Sequence, residues 1–307
     1  MKRRLLLFVI VFVLLLAGCS PKEAAPEKSG GMTFTDALGR TVTVTGIDRM
    51  GIASGSIAEC WMLAGGTVRA VTRDAVEERK LDLPEDVVDL GSLKTPSLEV
   101  IFDMDLDLMI LTSAYSTHLA YGDTLERAGI PYAYFEVETY GDYLAMLEIF
   151  TNLTGRQDLY EANGTELTTR IRETIENGKR EDAPQVLLLR TSASKVKALG
   201  SDTMVGTMLR DLGCVNIADS DAGLLTDLSL EAIVQADPDY IFVTCMGDYE
   251  EGKAQMESAF SSNPIWDTLQ AVEKGRCHFL EKELFHYKPN ARWGESYEVL
   301  AELLADN

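Results

Sequence analysis

The stretch Ser97-Leu98-Glu99-Val100-Ile101-Phe102-Asp103-Met104-Asp105-Leu106-Asp107 runs into an apolar segment ending at Thr112, and 132 residues further on the chain repeats itself. The second copy reads Ser229-Leu230-Glu231-Ala232-Ile233-Val234-Gln235-Ala236-Asp237-Pro238-Asp239 and runs into residues 240–244. Ser, Leu, Glu, Ile, the last two Asp and the closing Thr coincide, seven identities in sixteen positions, which argues against chance similarity of two unrelated units. Each copy predicts a helix, a tight turn and a strand. The Ser can cap the helix by accepting from its first turn, and the Glu sits where the helix dipole favours an anion. The apolar run that follows has no alternation, as expected of a strand buried on both faces. A repeat this far apart is no solenoid period; it predicts two homologous lobes.

Working outward, short β-rich runs alternate with helical patterns. Strands are predicted over residues 50–53, 68–72, 87–90, 108–112 and 132–136, then 186–190, 196–199, 215–218, 240–244 and 277–280. Helices fall between them, for example over 56–64, 97–104 and 122–128. Such alternation predicts parallel sheets covered on both faces. Residues 33–44 read as a β-hairpin around Asp36-Ala37-Leu38-Gly39. Residues 139–180 break the alternation. They read as helix, interrupted near Gly155, with spaced apolar residues Leu159, Leu167, Ile171 and Ile175, which predicts a rigid strut between two α/β halves.

The N-terminus predicts a location. Lys2, Arg3 and Arg4 precede an apolar run over residues 5–16, too short for the roughly 20 residues that cross a bilayer and typical of a signal-peptide core. Leu16-Ala17-Gly18-Cys19 resembles a bacterial lipobox, which marks Cys19 for lipidation as the first mature residue. Residues 20–31, rich in Ala, Pro, Glu, Lys, Ser and Gly, predict a flexible tether. The expected organisation is a lipoprotein signal peptide over 1–18, a tether over 19–32, an N-terminal lobe over 33–138, a connecting helical segment over 139–182 and a C-terminal lobe over 183–307. The body is then extracytoplasmic and anchored to the cell membrane by its acyl chains.

Of 307 residues, 46% are hydrophobic and 25% charged, the balance of a folded soluble body. The net charge of −21 excludes a nucleic-acid partner, because phosphate binding needs clustered Lys and Arg. Besides Cys19 there are Cys60, Cys214, Cys245 and Cys277, none in a CxxC. They read either as one disulfide or, in the favoured reading, as buried free thiols.

Together, the opening Thr35-Asp36-Ala37-Leu38-Gly39-Arg40-Thr41-Val42, the doubled Ser-Leu-Glu segment, the mid-chain helix and the closing Phe285-His286-Tyr287-Lys288-Pro289-Asn290-Ala291-Arg292-Trp293 resemble one family. It is the class III periplasmic-binding-protein family, the siderophore-, haem- and cobalamin-type components of ABC importers, and the resemblance runs from Thr33 to the C-terminus. It implies two Rossmann-like lobes, each a central β-sheet flanked by helices, joined by a long rigid α-helix, with the ligand in the cleft between them. It also implies that Glu99 and Glu231 dock onto a dimeric permease that works with a cytoplasmic ATPase. Two like charges, one per lobe, suit a two-fold partner. A monomer without a cofactor, carrying an iron complex as cargo, is expected.

Ligands of open α/β sheets bind beyond the carboxyl ends of the strands. That rule nominates Ser54, Arg73, Lys94, Ser113 and Tyr115 in the first lobe and Arg190, Ser192, Met246, His286 and Tyr287 in the second. Arg73, Lys94 and Arg190 are basic groups on an acidic chain and point to an anionic ligand such as a ferric siderophore. Haem is the next expectation, with Tyr115, Tyr287 or His286 on the iron, and cobalamin follows. A naked Zn or Mn ion would need several His and carboxylates at one site, which these positions do not offer. His118 stands three residues after Tyr115, whereas His278 lies inside a strand pattern and reads as structural. GxSxG, GxxxxGK[ST], HExxH and GxGxxG are all absent, so a lipid-anchored α/β hydrolase is the remote alternative and no catalysis is expected.

Overall fold

The computed structural model describes residues 31–180, 182–220, 222–226 and 228–305. The signal peptide, Cys19 and nearly all of the tether expected from the sequence lie outside the described residues. The first strand, Met32–Thr35, pairs antiparallel with Thr41–Val44 across the turn at Asp36. Asp36 accepts from the backbone N–H groups of Leu38 (3.0 Å), Arg40 (2.9 Å) and Tyr134 (3.1 Å), which ties this hairpin to the first lobe.

Five parallel strands build the N-terminal sheet in the order Val88–Asp89, Ala70–Val71, Met50–Ile52, Leu108–Thr112, Tyr132–Phe135. The C-terminal sheet places Gln185–Ser192 beside Tyr240–Cys245, which pairs in turn with Cys277–Phe279, all parallel. Val215–Asn216 adds a parallel neighbour to the start of Gln185–Ser192, and Lys195–Ala198 pairs antiparallel with its end. That antiparallel strand corrects the expectation of an all-parallel lobe. Only two residues separate it from its neighbour, too few for a crossover. A second correction concerns residues 217–218. The Asn216 side chain donates to Leu199 O (2.7 Å) and accepts from Ala218 N–H (3.1 Å), turning the chain into the short helix Ile217–Ser220.

The repeated segments fold alike. Ser97 Oγ accepts from Val100 N–H at 3.3 Å ahead of helix Leu98–Phe102, and Ser229 Oγ accepts from Ala232 N–H at 3.1 Å ahead of helix Leu230–Ala236. Ile101 and Ile233 are both fully buried. The closing aspartates also act in the same way. Asp107 accepts from Arg49 N–H (2.9 Å) and Asp239 from Gln185 N–H (2.8 Å), each pinning the start of the strand alongside. Helix Ser116–Ala128 starts six residues earlier than the sequence pattern suggests, because polar Ser116, Thr117 and the buried His118 mask its first turns.

Residues 139–177 form two helices, divided at Gly155 where the sequence pattern is interrupted. Thr139 and Asp142 make a capping box at the start of Tyr140–Thr154, and Gly155, at φ +70°, ends it. The second runs Gln157–Tyr160, through a π turn at Glu161–Thr165, into Glu166–Asn177. At 1.5 Å per residue it is about 30 Å long and is the strut between the lobes. The hydroxyls of Tyr143 and Tyr140 donate to the π-turn carbonyls of Asn163 (2.9 Å) and Gly164 (3.1 Å). The C-terminal helix Trp293–Ala305 is tied to the strut by a two-pronged Arg170–Glu298 ion pair.

Strand alternation decides where the cores lie. Leu108, Ile110, Val186, Leu188, Tyr240 and Phe242 join one continuous core with the strut and C-terminal helices, including Leu167, Ile171, Trp293 and Tyr297. Met109 and Leu111 face a separate core in the first lobe; Leu187, Leu189, Ile241 and Val243 face another in the second. Both sheets are therefore covered on two faces, and each buried Leu or Ile contributes about 1.5–3 kcal/mol. The shared core limits how far the lobes can swing apart.

Candidate ligand-binding cleft

The wall contributed by the first lobe begins at Ser54, just past strand Met50–Ile52. Ser54 is buried, with its Oγ 3.2 Å from Ser56 Oγ. Beside it, Asp74 accepts from Gly55 N–H at 2.7 Å. Tyr115 is half-buried, and its phenol is raised first by burial and then by the charges of Asp74 and Glu78. Burial and Asp74 also raise the Glu78 carboxyl. Ser113 donates to Glu136, and Glu138 follows two residues later. This wall is acidic.

The opposite wall is basic. Arg190, on strand Gln185–Ser192, is mostly buried; its Nε lacks a hydrogen-bond partner, and burial lowers its pKa. Lys282 donates to Gly247 O at 2.7 Å and sits 5.1 Å from the centre of the Tyr287 ring. His286 packs against Tyr287 with ring centres 5.6 Å apart. Burial pushes the His286 imidazole down to about 4, helped by the positive charges of Arg190, Lys282 and Lys288, so it is neutral at ordinary pH. Met246 is exposed at the end of strand Tyr240–Cys245.

Two groups cross from the second lobe's tail to the first lobe. Lys288 pairs with Glu138 at 2.9 Å. Asn290, held at φ +50°, donates from Nδ2 to Ser56 O (2.8 Å) and to Glu59 (2.7 Å). They close over a cavity of about 50 Å³ lined by Ser54, Thr112, Glu136, Glu138, Lys288 and Asn290.

The structure thus gathers Arg190, His286 and Tyr287 with Lys282 and Lys288, two cations that the sequence reading missed. They flank the stretch from Glu283 to Tyr287 that follows the last strand, and no periodic pattern marks them. Arg73 and Lys94 are not part of this cluster. Arg73 is paired with Asp89 at 2.8 Å and lines a separate cavity of about 400 Å³ within the first lobe, while Lys94 is exposed on the turn between Gly91–Ser92 and Thr95–Pro96. Ser192 donates to Lys195 O at 3.3 Å inside its own hairpin. His118 is structural: its Nδ1 accepts from Thr112 N–H (3.1 Å), leaving Nε2 to donate to Leu93 O (2.7 Å). Among the described residues no group of three or more His, Cys, Asp or Glu is placed to hold a metal ion. Cys60, Cys214, Cys245 and Cys277 are free, and burial pushes their thiols up, Cys214 to about 12 and Cys277 to about 11.

Glu99 and Glu231 are exposed, and neither forms an ion pair among the described residues. Each stands in the first turn of its repeated helix, as the sequence predicts.

The family model described as "Periplasmic binding protein" matches residues 52–284. The chain belongs to that family. Among curated proteins it is similar to the ferric-anguibactin-binding protein FatB of Vibrio anguillarum, at 20% identity over 88% of this chain and 87% of that one. Among solved structures it resembles FeuA of Bacillus subtilis, the triscatecholate siderophore-binding protein complexed with ferri-bacillibactin. The TM-score is 0.67 at 18% identity, covering 89% of this chain and 96% of that one. It also resembles Staphylococcus aureus IsdE complexed with heme, with a TM-score of 0.69 at 14% identity, covering 85% of this chain and all of the other. The family is one of extracytoplasmic binding proteins rather than enzymes, and no helix among the described residues is long and apolar enough to cross a membrane.

Proposed function

We propose that this periplasmic binding protein captures a ferric siderophore between its lobes and delivers it to the permease of an ABC importer. One observation carries the reading: on a chain of net charge −21, Arg190, Lys282 and Lys288 converge on one wall, and Arg190 Nε lacks an acceptor. An anionic ferric complex supplies the missing acceptor and neutralises the cluster. FatB and FeuA, similar along most of their length, are proteins of ferric siderophores. In this reading Cys19 carries the lipid anchor, the protein acts as a monomer, and Glu99 and Glu231 each engage one half of a permease dimer driven by its ATPase.

The test is tryptophan-fluorescence titration of the purified protein with a ferric triscatecholate complex. Saturable quenching at one equivalent supports the reading; a flat titration with anionic ferric complexes sinks it. Replacing Glu99 and Glu231 together by Ala should abolish uptake in cells at unchanged ligand affinity.

Haem is the second reading, favoured by one observation: His286 stays unprotonated down to about pH 4, as an iron ligand must, and stands beside Tyr287. A Soret band in protein isolated from its own cells would put haem first.

A further inference from the structure

Three cations line the basic wall, and they are not held alike. Arg190 and Lys282 form no ion pair among the described residues; Lys282 rests on a backbone carbonyl, and Arg190 has its Nε unpartnered. Lys288 alone is held by a carboxylate, that of Glu138, at 2.9 Å. The negative charge of Glu138 also acts on Arg190, so one side chain from the first lobe balances two cations of the second.

The base of that side chain is fixed. Glu138 N–H donates to Asp142 Oδ2 at 3.1 Å, next to the capping box of helix Tyr140–Thr154, so the backbone cannot follow Lys288 if the pair opens. The carboxylate end is different: the Glu138 side chain is 53% exposed and has room to swing out, while Lys288 is only 25% exposed. Both line the cavity of about 50 Å³ between Ser54 and Asn290.

We infer that Glu138 is a built-in counter-anion, which holds Lys288 where an acidic group of the cargo is to bind and thereby selects for ligands charged enough to displace it. The inference rests on the reading that the cleft takes an anionic ferric complex, and it names the residue that sets the charge requirement. A polyanionic complex replaces one carboxylate with several acceptors and gains Arg190 as well. A neutral complex has nothing to offer Lys288 and must leave the pair intact or break it unrewarded.

The test compares the natural protein with Glu138→Gln, which keeps size and hydrogen bonding and removes the charge. The probe is citrate, a trianion without iron, titrated calorimetrically at low and at physiological salt. Glu138→Gln should bind citrate roughly three- to tenfold more tightly, with the gain larger at low salt. Equal or weaker binding by Glu138→Gln, or no citrate binding by either protein, overturns the inference. A ferric triscatecholate that binds the natural protein and is unaffected by Glu138→Gln also overturns it while leaving the proposed function intact. Tighter citrate binding by the variant, with no ferric complex bound by either protein, upholds the role of Glu138 and sinks the iron reading.

Discussion

The two lobes carry the same unit and spend it differently. In both, a Ser caps the repeated helix, an Ile fills the core beneath it, and an Asp pins the N–H at the start of the neighbouring strand. At the cleft the likeness ends: the first lobe presents Asp74, Glu78, Glu136 and Glu138, the second Arg190, Lys282 and Lys288. What the two copies share satisfies backbone groups and packing. What they do not share is the charge each brings to the cleft. A duplicated scaffold can hold its geometry with few positions and leave the rest to charge.

The comparison can be broken most forcefully in the core. Ile101→Ala and Ile233→Ala should each cost about 2–5 kcal/mol in urea unfolding, and by similar amounts; a large cost at one and almost none at the other would mean the units are not equivalent. Next is an asymmetry under acid. His286 is held neutral, down to about 4, so its contribution is complete above its ordinary value of 6.5 and is lost as pH falls from there towards 4. That loss is on the order of 2–3 kcal/mol. Burial lowers His118 in the first lobe in the same direction. His286→Gln should therefore flatten only part of the stability loss between pH 6.5 and 4, and superposable profiles would refute the shift. Asp107→Ala should cost about 1–3 kcal/mol and Asp239→Ala somewhat less, because Asp107 also pairs with the Arg49 side chain at 2.6 Å; the reverse order in chemical denaturation would undo that account. Smallest, Ser97→Ala and Ser229→Ala should each lower stability by about 1 kcal/mol, matched within a few tenths.

How much of this could be read from residues alone depended on how local the cause was. The strand Leu108–Thr112 is legible to the residue, since an unbroken apolar run lies between Asp107 and Ser113. The caps were legible because Ser and the N–H it accepts from lie three positions apart. The end of strand Val215–Asn216 was not, because it depends on an Asn side chain reaching Leu199, seventeen residues away. The same limit governs the site. Strand ends nominated Arg190 and His286, which the structure places in one cluster, but nothing local says that Arg73 is neutralised by Asp89, or that Lys288 crosses to Glu138, 150 residues away.

Asn290 has a consequence for how the molecule is made. Its amide clasps Ser56, 234 positions earlier, so the first lobe, made earlier on the ribosome, receives this fastening from residues synthesised much later. A chain cut short near residue 285 would leave the early half without this clasp and more exposed to proteases and chaperones.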